Sequence, residues 1–399
     1  MIARVRPFSS SLLAGLCCSS ALAQSPAAPP VPASAPVAKA VQADFVAIAK
    51  NVFPSLVTVR TYVRIPAAEA AVAAPAATAA TAAATTSTSG WTVATTDDRE
   101  YPGFRQHGSS SGFFVGQDGD VMTVLQPLRV RDDVLVDLVD IETADGQRVI
   151  AEVLGIEPTL QLAVLRGAVF QSHTKPAMTA LRLADSDATE VGQWLLGFGD
   201  PSGPDRFLGF GLLSAKPARD CYQELMSATY MQATMMVPAG AFGGPMVDLD
   251  GNVVGILCPL DGSGVGSAWA LPSKILQGLH ESIRAAGTTQ SPWLGWSVMS
   301  RAEIATTRGL KAFQAMVKPR HGILIENVFA PSPAHAAGVL PGDFLTHWNG
   351  LEIHAPVDFQ RQLYLAGVGA TVTVTMVRGT ETMTKELRIE KRPAAAVPR

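Results

Sequence analysis

The chain reads Pro238-Ala-Gly-Ala-Phe-Gly-Gly-Pro-Met246 between two runs that are rich in β-forming residues. Glycine adopts backbone conformations that side chains forbid, so this glycine-dense stretch predicts a tight connection. A loop of that kind can direct several backbone N–H groups at one point. The strand-like run Val247–Leu257 follows it, with a turn at Asp250-Gly251. The stretch therefore predicts a loop that concentrates hydrogen-bond donors between two strands.

Length and composition indicate how many domains surround this loop. The chain has 399 residues, of which 47% are hydrophobic and 16% are charged. A chain of this size can bury more than one core, so two globular domains are expected. Strand-like segments rich in β-forming residues precede the loop, which predicts a mainly β first domain. These segments are Leu56–Ile65, Gly108–Val115, Val121–Leu125 and Val149–Ile156.

In their fixed order, these segments resemble the HtrA/Deg branch of the trypsin-like serine proteases. The stretch Pro238–Met246 resembles the Gly-Asn-Ser-Gly-Gly-Pro-Leu motif of that branch. The stretch Thr159–Leu165 resembles its Thr-Asp-Leu-Ala-Val-Leu motif. The resemblance covers residues 41–286 and implies a chymotrypsin/trypsin-like double β-barrel there.

The catalytic positions of that family are substituted in this chain. Aligning the motifs places Gln126 at the histidine, Gln161 at the aspartate and Phe242 at the serine. A glutamine amide neither takes nor returns a proton near pH 7, and phenylalanine has no nucleophilic atom. The resemblance therefore implies no intact catalytic residue, with Gly240 and Ala241 in a relict oxyanion loop. Phe242 is expected to project into the cleft and fill it, and the alternative is that it joins the barrel core.

A second domain follows a predicted hinge. Ser332–Asp343 and Trp293–Trp296 resemble the helix-and-turn motif and the carboxylate-binding loop of a PDZ domain, which implies an α+β PDZ domain over residues 291–393. Such a domain pairs a peptide C-terminus with a sheet edge, while loop N–H groups hold its carboxylate. The predicted helix Val357–Ala366 would supply the opposite wall. The expected peptide-binding residues are Leu294, Gly295, Trp296, Phe359 and Leu363.

The N-terminal region carries targeting and low-complexity segments. Arg4 and Arg6, an apolar run and a small-residue cleavage site predict a signal peptide over residues 1–23. The mature protein is therefore expected in the periplasm, with no integral membrane span. Residues 24–40 form an Ala/Pro-rich linker by composition. Residues 66–97 are almost wholly Ala, Thr and Ser, and they are predicted to form a disordered insert.

Charge and cysteine content bear on partners and cofactors. Without the signal peptide the chain carries 29 basic and 34 acidic residues, so electrostatics do not favour nucleic acid. His347 and His354 lie seven residues apart across an Asn-Gly turn, without a cysteine or carboxylate cluster at metal-ligand spacing. They are interpreted as solvated polar positions, and no metal or cofactor is expected. The sequence leaves open whether Cys221 and Cys258 form a disulfide or remain buried thiols.

Two functions remain open at this point. The first is a periplasmic pseudoprotease that binds peptides or unfolded protein C-termini through its PDZ domain. The second is an active serine endopeptidase of the HtrA type in protein quality control, which fold analogy alone favours. The resemblance also implies a homotrimer, for which the sequence holds no separate motif.

Overall fold

The computed structural model describes most of the chain after its N-terminal region. The described residues are 36–66, 85–86, 92–93, 101–116, 118–131, 134–170, 179–200, 206–218, 230–259, 266–286, 290–307 and 319–393. The predicted signal peptide 1–23 lies outside them. The chain divides into a unit of residues 1–42 and a unit of residues 43–399. Among the described residues, no helix combines the length and the apolar composition that crossing a membrane requires.

The first helix begins earlier than the sequence predicts. Helix α1 is Pro36–Val52, whereas composition predicts a linker over residues 24–40. Proline is tolerated in the first turn of a helix and alanine favours helix, which explains the earlier start. Ile48, Ala49 and Val52 are its buried residues.

The first half of the protease-like region forms a closed β-barrel. The described strands of this half, numbered along the chain, are β1 Leu56–Arg64, β2 Thr85–Thr86, β3 Thr92–Val93, β4 Phe104–Val115, β5 Asp120–Val124, β6 Arg129–Arg131, β7 Val134–Leu135, β8 Leu138–Thr143, β9 Arg148–Glu157 and β10 Leu162–Phe170. The barrel joins β1, β4, β5, β10, β9 and β8 in that order. Its core contains apolar side chains such as Val57, Phe114 and Leu165. The pair β2–β3 forms a short antiparallel ribbon inside the predicted insert 66–97.

The second half forms another closed barrel of six strands. These strands are β11 Trp194–Gly199, β12 Phe207–Ala218, β13 Tyr230–Ala233, β14 Pro245–Val247, β15 Val253–Cys258 and β16 Ala268–Pro272. They join in the order β11, β12, β13, β16, β15 and β14. The glycine-dense stretch enters β14, whose Met246 pairs with Gly197 of β11. The predicted double barrel is therefore confirmed.

One cysteine of the predicted pair lies in this second barrel. Cys258 is buried, and its thiol donates a hydrogen bond to the Ile256 carbonyl at 3.4 Å. Burial raises the pKa of the Cys258 thiol to about 12. Cys221 lies outside the described residues, so the choice between a disulfide and two thiols stays open.

Apolar side chains from both barrels meet in one shared core. Phe113 of the first barrel packs in the same cluster as Leu196, Phe198 and Ile256 of the second. Helix α2, Ser273–Ala286, adds its buried side to this cluster. Full burial stabilises each such side chain by about 1.5–3 kcal/mol. The shared core therefore fixes the barrels relative to each other.

The C-terminal region folds as the predicted PDZ domain. Its described strands are β17 Pro292–Trp293, β18 Trp296–Met299, β19 Ile323–Val328, β20 Phe344–Trp348, β21 Leu351–Glu352, β22 Thr371–Arg378, β23 Glu381–Arg388 and β24 Glu390–Lys391. Its described helices are α3 Arg301–Thr307, α4 Pro333–Ala336 and α5 Pro356–Ala366. The main sheet has the order β18, β19, β20, β22 and β23, with β21 paired to β20. Strand β18 is therefore an edge strand.

Two further strands, β23 and β24, follow β22. Most side chains of β23 are exposed or half-buried. Such a strand lacks the apolar alternation on which a prediction from sequence depends.

Hydrogen bonds to a buried glutamate tie the PDZ domain to the first barrel. Glu157, at the end of β9, is fully buried and accepts hydrogen bonds from Ser291 Oγ at 2.5 Å and from the Tyr364 hydroxyl at 3.1 Å. Burial and the Glu157 charge raise the pKa of Tyr364 well above its ordinary value. Arg361 of α5 also forms an ion pair with Asp187. Helix α5 therefore contacts the protease-like region as well as its own sheet.

Candidate functional site

Gln126 and Gln161, two of the three positions that the sequence alignment assigns to the catalytic triad, lie together at the end of β5. The Leu125 N–H, just before Gln126, donates to the Gln161 carbonyl at 2.8 Å. Gln126 opens a single 3-10 turn and is exposed. The Gln161 backbone is left-handed, with φ of 55°, and its side-chain amide donates to the Pro158 carbonyl at 2.6 Å. The fold thus brings Gln126 and Gln161 close together, and it presents two amide side chains there.

The third aligned position, Phe242, is hydrogen-bonded to β4, the strand that pairs with β5. The Phe242 carbonyl accepts a hydrogen bond from the Ser111 N–H at 3.0 Å. A Cβ atom at Gly243 would lie 2.1 Å from the Ser111 carbonyl oxygen and 2.9 Å from Thr123 Oγ1. Only glycine permits this approach, and Gly243 also has φ of +89°. The glycine-dense loop is therefore packed directly against β4 and β5.

The loop itself is closed into a 3-10 turn over Ala239–Ala241. The Ala241 N–H donates to the Pro238 carbonyl at 2.9 Å, and the Phe242 N–H donates to the Ala239 carbonyl at 3.3 Å. In trypsin-like proteases the N–H of the nucleophilic residue is one of the two oxyanion donors. Here that N–H is directed into the loop, so it is not presented to a developing oxyanion.

The Phe242 side chain joins the barrel core. It is 6% exposed and lies in a cluster that includes Val124 of β5 and Met246 of β14. The ring therefore contacts apolar groups from both sides of the junction between the barrels. No atom of this side chain can act as a nucleophile.

A histidine–carboxylate pair exists, but it lies at the other end of β5. His280 Nε2, on α2, lies 2.8 Å from an oxygen of Asp120, which begins β5 and is fully buried. Arg166 and Arg284 also contact this carboxylate, at 2.8 Å and 3.3 Å. Burial alone raises the pKa of Asp120, but the hydrogen bonds from His280 and Arg166 outweigh it and lower this pKa below its ordinary value. The pair ties α2 to the first barrel and lies away from Gln126.

Two backbone hydrogen bonds hold the loop Leu294–Trp296, which the sequence predicts to bind a carboxylate. The Leu294 carbonyl accepts from the Ala334 N–H at 2.9 Å, and the Gly295 carbonyl accepts from the Phe329 N–H at 2.8 Å. In a trans peptide the following N–H points the opposite way from the carbonyl. The N–H groups of Gly295 and Trp296 therefore point away from these partners, as a carboxylate-binding loop requires.

Gly295 is required by close packing. Its φ is +88°, and a Cβ atom there would lie 2.0 Å from the Ser332 Cβ. Ser332 also accepts a hydrogen bond from the His335 N–H at 3.1 Å, which caps α4. Ser332 is not among the residues that the sequence predicts for this site, although a serine followed by proline is a recognisable start of a helix.

The residues predicted to form the apolar wall of the groove lie in the core of the PDZ domain beside Trp296. Leu294, Trp296, Phe359 and Leu363 belong to one core cluster, and each is at most 7% exposed. The Trp296 and Phe359 rings lie 5.7 Å apart between centroids. The structure thus brings the predicted peptide-binding residues together at the β18 edge, with Trp296 packed against the helix that forms the wall.

Comparisons with known proteins agree with this architecture. Residues 110–256 match the family described as trypsin-like peptidase domain, and residues 294–389 match the PDZ domain. The chain is 25% identical over 282 residues to the putative serine protease HhoB of Synechocystis sp., covering 70% of this chain and 65% of that protein. It is 29% identical over 302 residues to a probable periplasmic serine endoprotease DegP-like of Rhizobium meliloti, covering 73% and 55%. The chain thus spans about half to two thirds of the length of these relatives.

A solved structure shows the same fold. The HtrA-type protease AlgW with decapeptide superposes with a TM-score of 0.60 at 19% identity, over 88% of this chain and 99% of that one. Its likeness at this identity concerns the fold alone. The chain thus carries a trypsin-like peptidase domain followed by a PDZ domain, and its sequence is similar to that of DegP-like serine endoproteases.

Proposed function

We propose that this protein is a pseudoprotease of the HtrA family that binds peptides or unfolded protein C-termini through its PDZ domain. The closed loop at Phe242 carries this proposal. The Phe242 N–H is hydrogen-bonded to the Ala239 carbonyl, and the Phe242 ring is buried. Glutamine occupies the two positions that align with the histidine and the aspartate of the triad. Members of a triad act as a unit, and loss of one already costs several orders of magnitude in rate. A nucleophile, a base and an oxyanion donor are missing together.

Peptide binding is supported by the loop at Leu294–Trp296 and the adjacent edge strand β18. An edge strand offers unpaired backbone groups to an added strand, and loop N–H groups can hold a terminal carboxylate. AlgW, whose fold this chain shares, is described with a decapeptide. The expected affinity is about micromolar, because few residues are buried and the peptide must be ordered on binding.

We further propose that the protein acts in the periplasm after removal of residues 1–23. Relatives at 25–30% identity are described as periplasmic serine endoproteases. The homotrimer that the resemblance implies stays a prediction, and light scattering of the mature chain would measure it.

The proteolytic part of the proposal is tested with unfolded casein and a serine-directed phosphonate probe. The mature chain is expected neither to cleave casein nor to be labelled by the probe. Cleavage that Phe242→Ala abolishes would instead support the second function, an active HtrA-type endopeptidase.

The binding part is tested on the full mature chain with a peptide library that ends in hydrophobic residues. Free-acid peptides are expected to bind more tightly than their amidated counterparts, because the charged carboxylate forms stronger hydrogen bonds with the loop N–H groups. Trp296→Phe replaces the indole with a smaller aromatic ring, so this substitution is expected to open the groove and strengthen peptide binding. Equal binding of free-acid and amidated peptides would show that this loop does not recognise the terminal carboxylate.

A further inference from the structure

Three potential metal ligands from separate segments lie side by side in the PDZ domain. His321 precedes β19, His347 is in β20 and Glu352 is in β21. One ligand atom of each lies within 4.8 Å of the other two. His347 pairs directly with Glu352 across the β20–β21 hairpin. The antiparallel register Ile323↔Leu345, continued by two residues, places His321 opposite His347.

A fourth potential ligand, His354, lies next to this group of three. His354 Nε2 lies 3.1 Å from a Glu352 oxygen, and the His354 ring centroid lies 5.2 Å from that of His321. The His321 and His347 rings are 5.1 Å apart. Sequence separation hides this group, because it depends on the pairing of β19, β20 and β21. The interpretation of His347 and His354 as separate solvated positions is therefore incomplete.

The backbone brings the first segment close to β20. Gly322, next to His321, has φ of +122°, and a Cβ atom there would lie 2.8 Å from the Leu345 carbonyl oxygen and 3.1 Å from a Thr346 methyl carbon. Glycine is required for this approach. The proximity of His321 and His347 is thus built into the sheet.

The surroundings of two of the imidazoles suit a metal ion. Thr346 Oγ1 donates to the Thr375 carbonyl at 3.1 Å, so it accepts from His347 Nδ1 at 3.0 Å. With the proton on Nδ1, the lone pair of His347 Nε2 is available to a ligand. His321 Nε2 is buried and has no hydrogen-bond partner among the described residues. A buried nitrogen without a partner is costly unless another group satisfies it.

We propose that His321, His347, Glu352 and His354 form a binding site for a divalent transition metal ion, with Zn²⁺ as the preferred ion. Imidazole nitrogen and carboxylate oxygen are ligands that Zn²⁺ takes in a tetrahedral arrangement, with donors about 3.3 Å apart. The side chains of His354 and Glu352 are 53% and 57% exposed, so they can rotate inward to close the site around the ion.

The proposed metal site lies next to the start of helix α5, which is predicted to form one wall of the peptide groove. His354 lies two residues before Pro356, where α5 begins, and Asp358 accepts hydrogen bonds from the N–H groups of His354 and Ala355. A bound ion would therefore link the start of β19, the β20–β21 hairpin and the entrance to α5. Metal binding at these residues does not depend on whether the protein is a protease.

The test is calorimetric titration of the metal-stripped mature chain, free of any affinity tag, with ZnCl₂ in a buffer that does not bind metal. We expect uptake of one equivalent with micromolar or tighter affinity, together with a higher melting temperature. His321→Gln, His347→Gln and Glu352→Gln are each expected to weaken binding at least tenfold, since even outer partners of metal ligands contribute about 10- to 100-fold.

His335→Gln is the matched control, because His335 is exposed on α4 of the same domain and lies outside the group. It is expected to leave Zn²⁺ binding unchanged. Glu352 is exposed, so its substitution keeps the fold intact and the comparison interpretable. Failure of the parent chain to take up one equivalent would overturn the site. The same conclusion would follow if Glu352→Gln and His321→Gln bound as tightly as His335→Gln.

Discussion

Phe242→Ser installs the nucleophile of the family, and we expect it to destabilise the protein without creating an enzyme. The ring is 6% exposed within an apolar cluster. Truncation of a buried phenylalanine costs about 3–5 kcal/mol, and a buried hydroxyl without a partner adds about 1–3 kcal/mol. The expected loss is therefore about 4–8 kcal/mol. This loss is a large share of the free energy of unfolding of a typical protein, which is roughly 5–15 kcal/mol.

The assay is urea unfolding, followed by circular dichroism and tryptophan fluorescence. With a slope of about 2 kcal/mol per molar urea, the midpoint should fall by about 2–4 M. Casein cleavage should stay absent at temperatures where Phe242→Ser remains folded. Gln126 provides no base for the new hydroxyl, and the N–H of residue 242 is bonded to the Ala239 carbonyl.

Phe242→Leu is the matched control, because it keeps an apolar side chain of similar size. It should cost less than about 1.5 kcal/mol. A Phe242→Ser variant within about 1 kcal/mol of the parent would show that the ring does not contribute to the core. Casein turnover by Phe242→Ser would refute the inactive geometry of the loop.

Three further predictions concern the contacts that hold the site in place. The folded pKa of Asp120 lies below its unfolded value of about 3.9, so its carboxylate stabilises the fold above about pH 4 and this contribution is lost as the pH falls through the folded pKa. His280→Gln removes a contact that lowers this pKa, so acid unfolding measured by circular dichroism should begin at a higher pH. Gly295→Ala should lower the melting temperature of the PDZ domain, because a Cβ atom cannot fit there. Tyr364→Phe leaves Glu157 with one donor fewer and should reduce the free energy of unfolding by about 1.5–3 kcal/mol, measured in urea.

Each of these predictions has a comparison that can contradict it. His335→Gln should leave the acid transition unchanged, and an equal shift in both histidine variants would remove Asp120 as the cause. Gly350 has φ of +83°, and a Cβ atom added there would meet nothing within 4 Å, so Gly350→Ala carries the backbone strain of Gly295→Ala without the clash. Equal destabilisation by the two alanines would contradict the close packing at Gly295. A Tyr364→Phe variant as stable as the parent would show that the hydrogen bond to Glu157 adds no net stability.

Local signals in the sequence were sufficient to predict the architecture of the protein. The glycine-dense loop, the strand-like segments and the motif Ser332–Asp343 led to a double barrel followed by a PDZ domain, which the structure confirms. Each signal reflects a constraint on a few consecutive residues, such as a turn that needs glycine. For the same reason the sequence misjudged the start of α1 and missed β23, where alanine-rich and polar segments carry weak signals.

Sequence determined which chemical groups are available, because Gln126, Gln161 and Phe242 cannot supply a nucleophile or a base in any fold. Tertiary structure alone decided that the Phe242 N–H is hydrogen-bonded inside its own loop and that the Trp296 ring packs against Phe359. It also decided that histidines 26 residues apart, His321 and His347, face each other across two paired strands. These features depend on strand register and on packing between distant segments, which no short stretch of the chain encodes.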